Sequence, residues 1–462
     1  MSHQDKWADA EVRCARFVVL SCLRSRKSTI HSTSVAVWRV RDDIASRRYS
    51  VLMAVLIVTV WVLSGLSLAG AAYWMLVRWR VHRDGRNRPS LREGLTVTMS
   101  SWPSVSIIIP AHNEEAQAPD LLRTLLAQIY EGSIEIIFVL DRCTDGTRAA
   151  LEKEIALSGG GARHPLVRLI DNHDCPDDWA GKCNAANRGS ALATGELLLF
   201  TDADTTFDPA LVRASVALLR ERELALLSAL PKVSVRSNFE AVVQPVAIMQ
   251  LMKIYPISKV NDEEKPRAFA NGQFMLFTRE AYDAAGGHTA VKDDLLEDIA
   301  FARRIVQFLR RKAGIFVADE LLHVRMYESY AQFREGWRRI FIEACNRNPS
   351  RLFRYGLECV VVGAGVMIIA LASIGTGILS LALSDIPLGI SGVIAGFLAL
   401  ICQQVTLRRI FELIGVPPIA ALAYAYGSLA VTRIQWRAAK DLRARKPVRW
   451  GGRNYVLKPQ SN

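Results

Sequence analysis

Three long apolar runs constrain the fold of this chain more than any other feature. The first covers residues 51–77, and two others, 358–383 and 386–405, lie toward the opposite end. An α-helix needs about 20 mostly apolar residues to cross a bilayer, and each run is long enough. The sequence therefore predicts one membrane-spanning helix before the middle of the chain and a helical hairpin of two more after it.

A fourth apolar segment, residues 416–432, is barely long enough to cross a membrane. Basic residues flank both of its ends. Because Lys and Arg accumulate on the cytoplasmic side, this arrangement disfavours a simple crossing. A transmembrane, a re-entrant and an interfacial helix all stay open for this segment. We expect a basic C-terminal tail over residues 433–462.

The segments on either side of the first apolar run are polar and basic. Residues 1–50 lack the layout of a cleavable signal, and we expect a poorly ordered tail there. Met53 also permits a chain that begins at the first apolar run. Residues 78–102 are predicted to form a basic linker, which favours a cytoplasmic middle domain, whereas the basic stretch before residue 51 favours the opposite orientation.

The formal net charge of +13 raises the question of a nucleic-acid partner. The Lys and Arg residues crowd beside the apolar runs, however, where anionic lipid headgroups explain them better. The sequence contains no zinc finger and no aromatic-basic RNA motif, so we expect no nucleic-acid binding. Its eight cysteines form no C-x-x-C pair and indicate reduced thiols in a cytosolic or membrane setting.

Residues 103–345 have the alternating pattern of an α/β domain. Short β-rich runs are separated by stretches of helical spacing, which predicts a mostly parallel sheet flanked by helices. Ligands are expected at the C-terminal ends of such strands. The predicted strands cover 105–109, 134–140, 166–170, 196–200, 224–230 and 274–278.

Two acids, Asp202 and Asp204, directly follow the buried run ELLLF. Residues two positions apart beyond a strand point to the same side. Two neighbouring carboxylates repel each other and resist desolvation, so a cation is expected between them. Mg²⁺ or Mn²⁺ bound through oxygen ligands would meet that need. The alternative is a surface turn in which both acids cap the following helix.

Polar clusters also follow the first two predicted strands. PAHNEE begins at Pro110 and DRCTDGT begins at Asp141. Because the C-terminal ends of parallel strands share one edge of a sheet, these clusters and the Asp202–Asp204 triplet are predicted to line one cleft. Each cluster taken separately is also compatible with ordinary turn chemistry.

The order of motifs along the chain resembles a known family. The motifs are PAHNEE, LDRCTDGT, WAGKCNAANRG, LLLFTDADTTF, NGQFMLFTREAYDAAGGH, LLEDIAFARR and RMYESYAQFREGW. Together they resemble the nucleotide-diphospho-sugar domain of family 2 glycosyltransferases, of the GT-A type. Within that family they are similar to the membrane-bound branch of hopene-associated and diaponeurosporenoate (carotenoid) glycosyltransferases. The match spans roughly residues 103–345, and VRWGGRNY at 448–455 shows a weaker similarity.

The resemblance implies a donor site for a nucleotide-sugar. The nucleoside pocket would be bordered by Pro110, Asn113 and Glu114. Asp141 would hydrogen-bond the nucleobase, Asp202 would contact the ribose or the metal, and Asp204 would ligate the metal. Lys182 lies at a predicted helix start, where a cation and free backbone N–H groups meet phosphate. A solvated surface lysine is the alternative for that position.

The expected catalytic base is Asp298, beside Glu297 in LLEDIAF. An acceptor hydroxyl loses its proton as it attacks the anomeric carbon, and a positioned carboxylate can take it. Such a single displacement inverts the anomeric centre. The alternative is that both acids only favour the N-terminus of the following helix.

The acceptor side is expected at Gln273, Trp337 and Arg338. Polysaccharide-elongating members of the family usually carry Q-x-x-R-W, whereas this chain reads QFREGWRR from Gln332. That departure argues against processive synthesis. A buried glutamine, an interfacial tryptophan and a headgroup-binding arginine are the respective alternatives.

The resulting hypothesis is an integral membrane enzyme with a cytoplasmic catalytic domain. It would transfer a single sugar, with inversion and a divalent metal, from a nucleotide-sugar to a membrane lipid of isoprenoid, hopanoid or carotenoid type. Transfer to polyprenyl phosphate and a non-catalytic nucleotide-sugar-binding membrane protein are the alternatives.

Overall fold

An α/β domain and a bundle of long apolar helices make up the described part of the chain. The computed structural model describes residues 31–86, 88–159, 165–233, 235–325, 327, 329–383, 385–450 and 453–460. Residues 1–30, most of the tail predicted at 1–50, lie outside the described residues.

Twelve strands are present in the described residues and form three sheets. The strands are β1 (Val105–Ala111), β2 (Ile134–Asp141), β3 (Leu166–Asn172), β4 (Leu197–Thr201), β5 (Thr205–Phe207), β6 (Leu226–Leu230), β7 (Lys232–Val233), β8 (Phe274–Thr278), β9 (Ala313–Val317), β10 (Leu322–Val324), β11 (Val448–Trp450) and β12 (Arg453–Tyr455). The six strands predicted from the sequence are all present, with ends that agree to within two residues.

The large sheet has the order β3-β2-β1-β4-β8-β6-β9. Its neighbours run parallel except for β8, which is antiparallel to both β4 and β6. The expected mostly parallel sheet is therefore confirmed. Strands β1, β2 and β4 are almost wholly buried, as their continuous apolar sequences require when helices cover both faces. Because these three strands are adjacent and parallel, the polar clusters that follow them meet at one edge.

Fifteen α-helices cover the sheet and form the bundle in the described residues. They are α1 (His31–Arg86), α2 (Ala118–Leu126), α3 (Thr147–Leu157), α4 (Gly181–Leu192), α5 (Leu211–Glu221), α6 (Asn238–Val242), α7 (Gln244–Ile254), α8 (Ile257–Val260), α9 (Arg279–Ala284), α10 (Glu297–Arg303), α11 (Tyr330–Ala344), α12 (Pro349–Val360), α13 (Val366–Ala382), α14 (Ile386–Ile414) and α15 (Tyr424–Arg443).

Three helical stretches are long and apolar enough to cross a membrane. They are Arg47–Asp84, Pro349–Ala382 and Ile386–Ile414. All three extend beyond the apolar runs read from the sequence, and the second begins at Pro349, ahead of the run at 358–383. Helix α1 continues through much of the predicted linker because its basic residues are good helix formers and the first proline is Pro89. Helix α14 continues past residue 405 to Gly415, whose φ of 86° makes it a left-handed C-cap.

Hydrogen bonds within the bundle centre on a π-helical segment, Val361–Gly365, between α12 and α13. The wider turn of a π-helix leaves backbone groups free for other partners. The Val362 carbonyl accepts from the Trp74 indole N–H at 3.1 Å and from the Gln403 amide at 3.2 Å. The Thr406 hydroxyl donates to the Trp74 carbonyl at 3.2 Å. These bonds join α1 and α14 to the same short segment.

The segment at 416–432 forms a 3₁₀ helix, Pro418–Ala423, and the first part of α15. It is not among the stretches long and apolar enough to cross a membrane within the described residues. Helix α15 packs against α12 and buries Tyr424. An interfacial position for this segment stays a proposal.

Candidate active site

A cavity of about 1970 Å³ extends from the carboxyl edge of the large sheet to the long apolar helices α1 and α14. Ordinary small-molecule pockets measure about 300–1,000 Å³, so this space accommodates more than one ligand. Most of the sequence-predicted site residues line it. They are Pro110, Glu114, Asp141, Lys182, Asp202, Asp204, Gln273, Glu297, Asp298 and Trp337. Asn113 and Arg338 are not among its lining residues.

Lys182 links two acidic segments that are far apart in the sequence. Its Nζ lies 2.7 Å from Asp202 Oδ1 and 2.7 Å from Glu297 Oε1. Burial alone would lower the pKa of Lys182, but the charges of these two carboxylates outweigh it and raise that pKa. Burial would likewise raise the pKa of Glu297, and the Lys182 ammonium holds it below its ordinary value. Lys182 and Glu297 are therefore both charged at neutral pH.

The Asp204 side chain forms no ion pair with a cation among the residues that the structure describes. Its Oδ1 is buried and has no hydrogen-bond partner among the described residues. Burial, followed by the charges of Asp202 and Glu114, raises the pKa of Asp204 well above its ordinary value. An uncompensated buried carboxylate is destabilising, and a bound cation would relieve it.

The donor atoms around Asp204 fit a hard divalent cation. Carboxylate oxygens are the ligands that Mg²⁺ and Mn²⁺ prefer. Within the residues that the structure describes, no group of three or more His, Cys, Asp or Glu side chains could hold a metal by itself. A metal at Asp202 and Asp204 would therefore need further ligands from a bound substrate or water.

Asp298 lies beside this cluster and is held by two backbone donors. Its Oδ2 accepts from the Gly272 N–H at 2.8 Å, and its Oδ1 accepts from the Ile299 N–H at 2.7 Å. A Cβ at position 272 would lie 3.2 Å from Lys182 Nζ and 3.3 Å from Asp298 Oδ2, so a larger residue there would displace these side chains slightly. Burial, followed by the charge of Glu297, raises the pKa of Asp298 to about 7. A carboxylate with that pKa suits proton abstraction at neutral pH.

This pKa gives an expected pH dependence. If deprotonated Asp298 accepts the proton of the acceptor, activity should rise with pH through a midpoint near 7 and level off above it. Replacing Glu297 by Gln removes a neighbouring negative charge and should move that midpoint to lower pH. Initial rates measured across pH at saturating substrate would check both statements. A midpoint near 4 in the unmodified protein would contradict them.

Asp141 occupies a dense polar network at the end of β2. Its carboxylate accepts from Arg142 at 2.5 Å and from Asn172 Nδ2 at 2.8 Å, and His112 Nδ1 lies 2.6 Å from its carbonyl oxygen. Arg142 adopts a left-handed backbone with φ of 48°. Arg142, His112 and Asn172 were not among the predicted site residues, although Arg142 and His112 stand inside the polar clusters after β2 and β1. These partners fix the Asp141 carboxylate beside the cavity.

Asn113 joins two loops and does not line the cavity. Its Oδ1 accepts from the Thr144 N–H at 2.8 Å, and its φ of 58° is in the left-handed region that asparagine tolerates. The loops after β1 and β2 are thereby held together. The nucleoside-bordering role expected for Asn113 stays a prediction.

Gln273 and Trp337 both line the cavity, and their place on the acceptor side stays a prediction. Gln273 Oε1 accepts from Asn271 Nδ2 at 3.1 Å. Trp337 packs between Phe333 and Phe341, and its buried indole N–H has no hydrogen-bond partner among the described residues. That N–H is available to a ligand.

Arg338 does not line the cavity, in contrast to its expected place on the acceptor side. Its guanidinium is buried away from the cavity, where it contacts Asp441 Oδ2 at 3.1 Å and Glu335 Oε2 at 2.9 Å. It also donates to the Pro447 carbonyl at 3.3 Å. Arg338 thus fixes α11 to α15, because a buried carboxylate such as Asp441 requires a cation. The neighbouring Arg339 lines the cavity instead.

Residues 106–286 match the family model described as glycosyl transferase family 2. Over this stretch the chain is similar to family 2 glycosyltransferases, and the resemblance predicted from the motifs is confirmed.

The chain is also similar to curated carotenoid glycosyltransferases. It is 28% identical over 242 residues to the 4,4'-diaponeurosporenoate glycosyltransferase of Staphylococcus aureus strain MRSA252, and 27% identical to that of strain USA300. Each match covers 51% of this chain and 60% of the relative's length.

Among solved structures, two similar chains belong to glycosyltransferases. A mannosyltransferase from Pyrobaculum calidifontis, in complex with GDP-Man and Mn²⁺, is 17% identical, covers 81% of this chain and 99% of its own, and has a TM-score of 0.43. Glucosyl-3-phosphoglycerate synthase from Mycobacterium tuberculosis, in complex with Mn²⁺, UDP and phosphoglyceric acid, is 19% identical, covers 53% and 78%, and has a TM-score of 0.36.

Proposed function

We propose that this protein transfers a single sugar from a nucleotide-sugar to a membrane lipid, with inversion at the anomeric carbon. The observation that carries the proposal is the continuity of the cavity. It is lined by charged residues of the sheet edge and also by residues of the long helices, where apolar side chains such as Val77 and Ile414 stand beside charged ones such as Arg80 and Arg409. A water-soluble donor and a lipid acceptor can therefore reach the same space from opposite sides.

The carboxylate end of the cavity suits a nucleoside diphosphate. Pro110, Glu114 and Asp141 line the part that would receive the nucleoside. Asp202 and Asp204 would hold Mg²⁺ or Mn²⁺, which when bound stabilises negative charge on the departing diphosphate. Lys182, already charged, supplies a fixed positive potential next to that position.

Asp298 would act as the base in this reaction. It would take the proton of the acceptor hydroxyl, or orient an acceptor carboxylate, as the acceptor attacks the anomeric carbon. Because no side chain need form a bond to the sugar, the displacement has one step and inverts the configuration. The Gly272 and Ile299 amides hold the carboxylate in place before the acceptor arrives.

The opposite end of the cavity suits an isoprenoid, hopanoid or carotenoid acceptor. Val77 of α1, Leu251 of α7 and Ile414 of α14 are among its apolar lining residues. The similar Staphylococcus aureus enzymes are named for a carotenoid-type acceptor, 4,4'-diaponeurosporenoate. Since nucleotide-sugars are cytosolic, we place the α/β domain on the cytoplasmic side, with α1, α12–α13 and α14 in the membrane.

The direct test uses membranes that contain the protein and a panel of radiolabelled UDP-, GDP-, CDP- and TDP-sugars, with Mg²⁺, Mn²⁺ or chelator. We expect label in the organic-solvent extract for at least one donor, and none with chelator. Label that appears only in water-soluble polymer, or only as free sugar, would contradict the proposal. Mass analysis of the extract separates a neutral lipid product from a polyprenyl-phosphate product.

Obstructing the membrane end of the cavity should slow transfer to the lipid acceptor and leave the affinity for the nucleotide unchanged. Val77→Trp adds a large side chain to the apolar lining, so we expect at least about tenfold slower transfer to lipid with unchanged nucleotide affinity. Val58→Trp is the matched control, because Val58 lies on the same helix and is 61% exposed. Transfer rates and nucleotide titrations of both variants check this. Equal transfer by the two variants would argue against an acceptor path along α1.

A further inference from the structure

The C-terminal hairpin of β11 and β12 reaches the donor end of the cavity. Arg453 donates hydrogen bonds to the backbone carbonyls of Cys175, Pro176 and Trp179. The Tyr455 hydroxyl accepts from the N–H of Gly181 at 3.3 Å. Gly181 is the first residue of α4. These contacts fix the hairpin to residues 175–181, the loop that leads to Lys182 and is called the donor loop below.

The chain on both sides of the hairpin is anchored to other elements. Before it, the Pro447 carbonyl accepts from Arg338 at 3.3 Å, and Lys446 lies 3.5 Å from Asp441. After it, the Gln460 N–H donates to the Arg347 carbonyl at 2.9 Å. The hairpin is therefore a fixed part of the site, connecting the end of α11 with the donor loop.

Arg449, on β11, lines the cavity together with Asp141 and Arg142. Its partner in the β11–β12 pairing is Asn454. Asn454 lies between Arg453 and Tyr455, the two residues that contact the donor loop. Its side chain is exposed and makes no ion pair or hydrogen bond with any residue that the structure describes. Nothing in the described chain explains an arginine at this position.

The charge balance of the donor end supplies an explanation. Arg142 is already paired with Asp141, and Lys182 with Asp202 and Glu297. A nucleoside diphosphate adds further negative charge to this acidic end, and its oxygens require cationic donors. An arginine guanidinium offers paired N–H donors in the geometry that phosphate oxygens accept.

We propose that Arg449 binds the diphosphate of the nucleotide-sugar, so that the C-terminal hairpin forms part of the donor site. This inference rests on the proposed function. Arg453 and Tyr455 are positioning residues, which hold the hairpin against the donor loop so that Arg449 faces the cavity.

The test measures the affinity of the purified full-length chain for UDP, GDP, CDP, ADP and TDP, and for the matching monophosphates, with Mn²⁺ present. Arg449→Ala should weaken binding of the preferred diphosphate about tenfold or more, which is typical for loss of a charge-assisted hydrogen bond. It should weaken binding of the monophosphate less. Arg449→Lys should retain part of the affinity. The thermal unfolding midpoint of both variants should match that of the unmodified protein.

Lys458→Ala is the control, because Lys458 is an exposed cation of the same tail that does not line the cavity. Diphosphate affinity of Arg449→Ala equal to that of this control would overturn the role of Arg449 and leave the proposed function standing. Failure of the unmodified protein to bind any of the five diphosphates would overturn the proposed function together with this inference.

Discussion

Replacing Asp298 by Asn is expected to abolish sugar transfer while donor binding is preserved. Asparagine keeps the size of the side chain and can still accept the Gly272 N–H, but it cannot take a proton. General-base catalysis typically contributes 10²–10⁴-fold, so we expect a loss in kcat of at least about 100-fold. Steady-state transfer assays and a nucleotide titration measure the two quantities separately.

The matched control for this variant is Asp283→Asn, an exposed acid on α9 outside the cavity. It should transfer sugar at the unmodified rate. An Asp298→Asn protein that keeps more than about a tenth of the original turnover would assign the base to another group. Loss of nucleotide binding in the same variant would instead point to a structural role for Asp298.

Replacing Asp204 by Asn is expected to change activity and stability in opposite directions. The variant loses a metal-binding carboxylate, so we expect metal-dependent nucleotide affinity and transfer to fall by roughly 100-fold. In metal-free buffer it should unfold at a higher temperature than the unmodified protein. The reason is that Asn removes a buried carboxyl group that burial and the neighbouring acids make costly to ionise and whose Oδ1 has no partner among the described residues, a gain of about 1–2 kcal/mol.

Thermal unfolding with and without Mn²⁺ tests both parts of this expectation. Mn²⁺ should raise the midpoint of the unmodified protein and leave that of Asp204→Asn almost unchanged, because a ligand stabilises only the state that binds it. A variant that is less stable than the unmodified protein in metal-free buffer would show that the Asp204 carboxylate has a partner in solution. An equal Mn²⁺ response in both proteins would place the metal elsewhere.

The parts of the fold that depend on local pattern could be predicted from the sequence. The buried strands β1, β2 and β4 have continuous apolar sequences, and the acids after each strand indicated a shared edge. Parallel neighbours then bring Asp141 and Asp202 to one cavity, as the pattern required. Helix ends were harder to predict, since α1 and α14 continue into basic residues that are themselves good helix formers.

The parts of the site that depend on distant pairs could not be predicted. Lys182 lies between Asp202 and Glu297. This arrangement depends on strand β8, which pairs with β4 although it comes much later in the chain and precedes α10. Arg338 was placed on the acceptor side, yet its partner Asp441 lies on α15, about a hundred residues later. Ion pairs of this kind leave no periodic signal in a single sequence.

The measurement that tests the central claim most directly is the structure of the reaction product. Purified protein in lipid vesicles would be incubated with one accepted nucleotide-sugar, and the glycosylated product would be isolated for mass spectrometry and proton NMR. The proposal requires a lipid that carries one added sugar, with an anomeric configuration opposite to that of the donor. A ladder of added sugars, a retained configuration or a water-soluble product would contradict it.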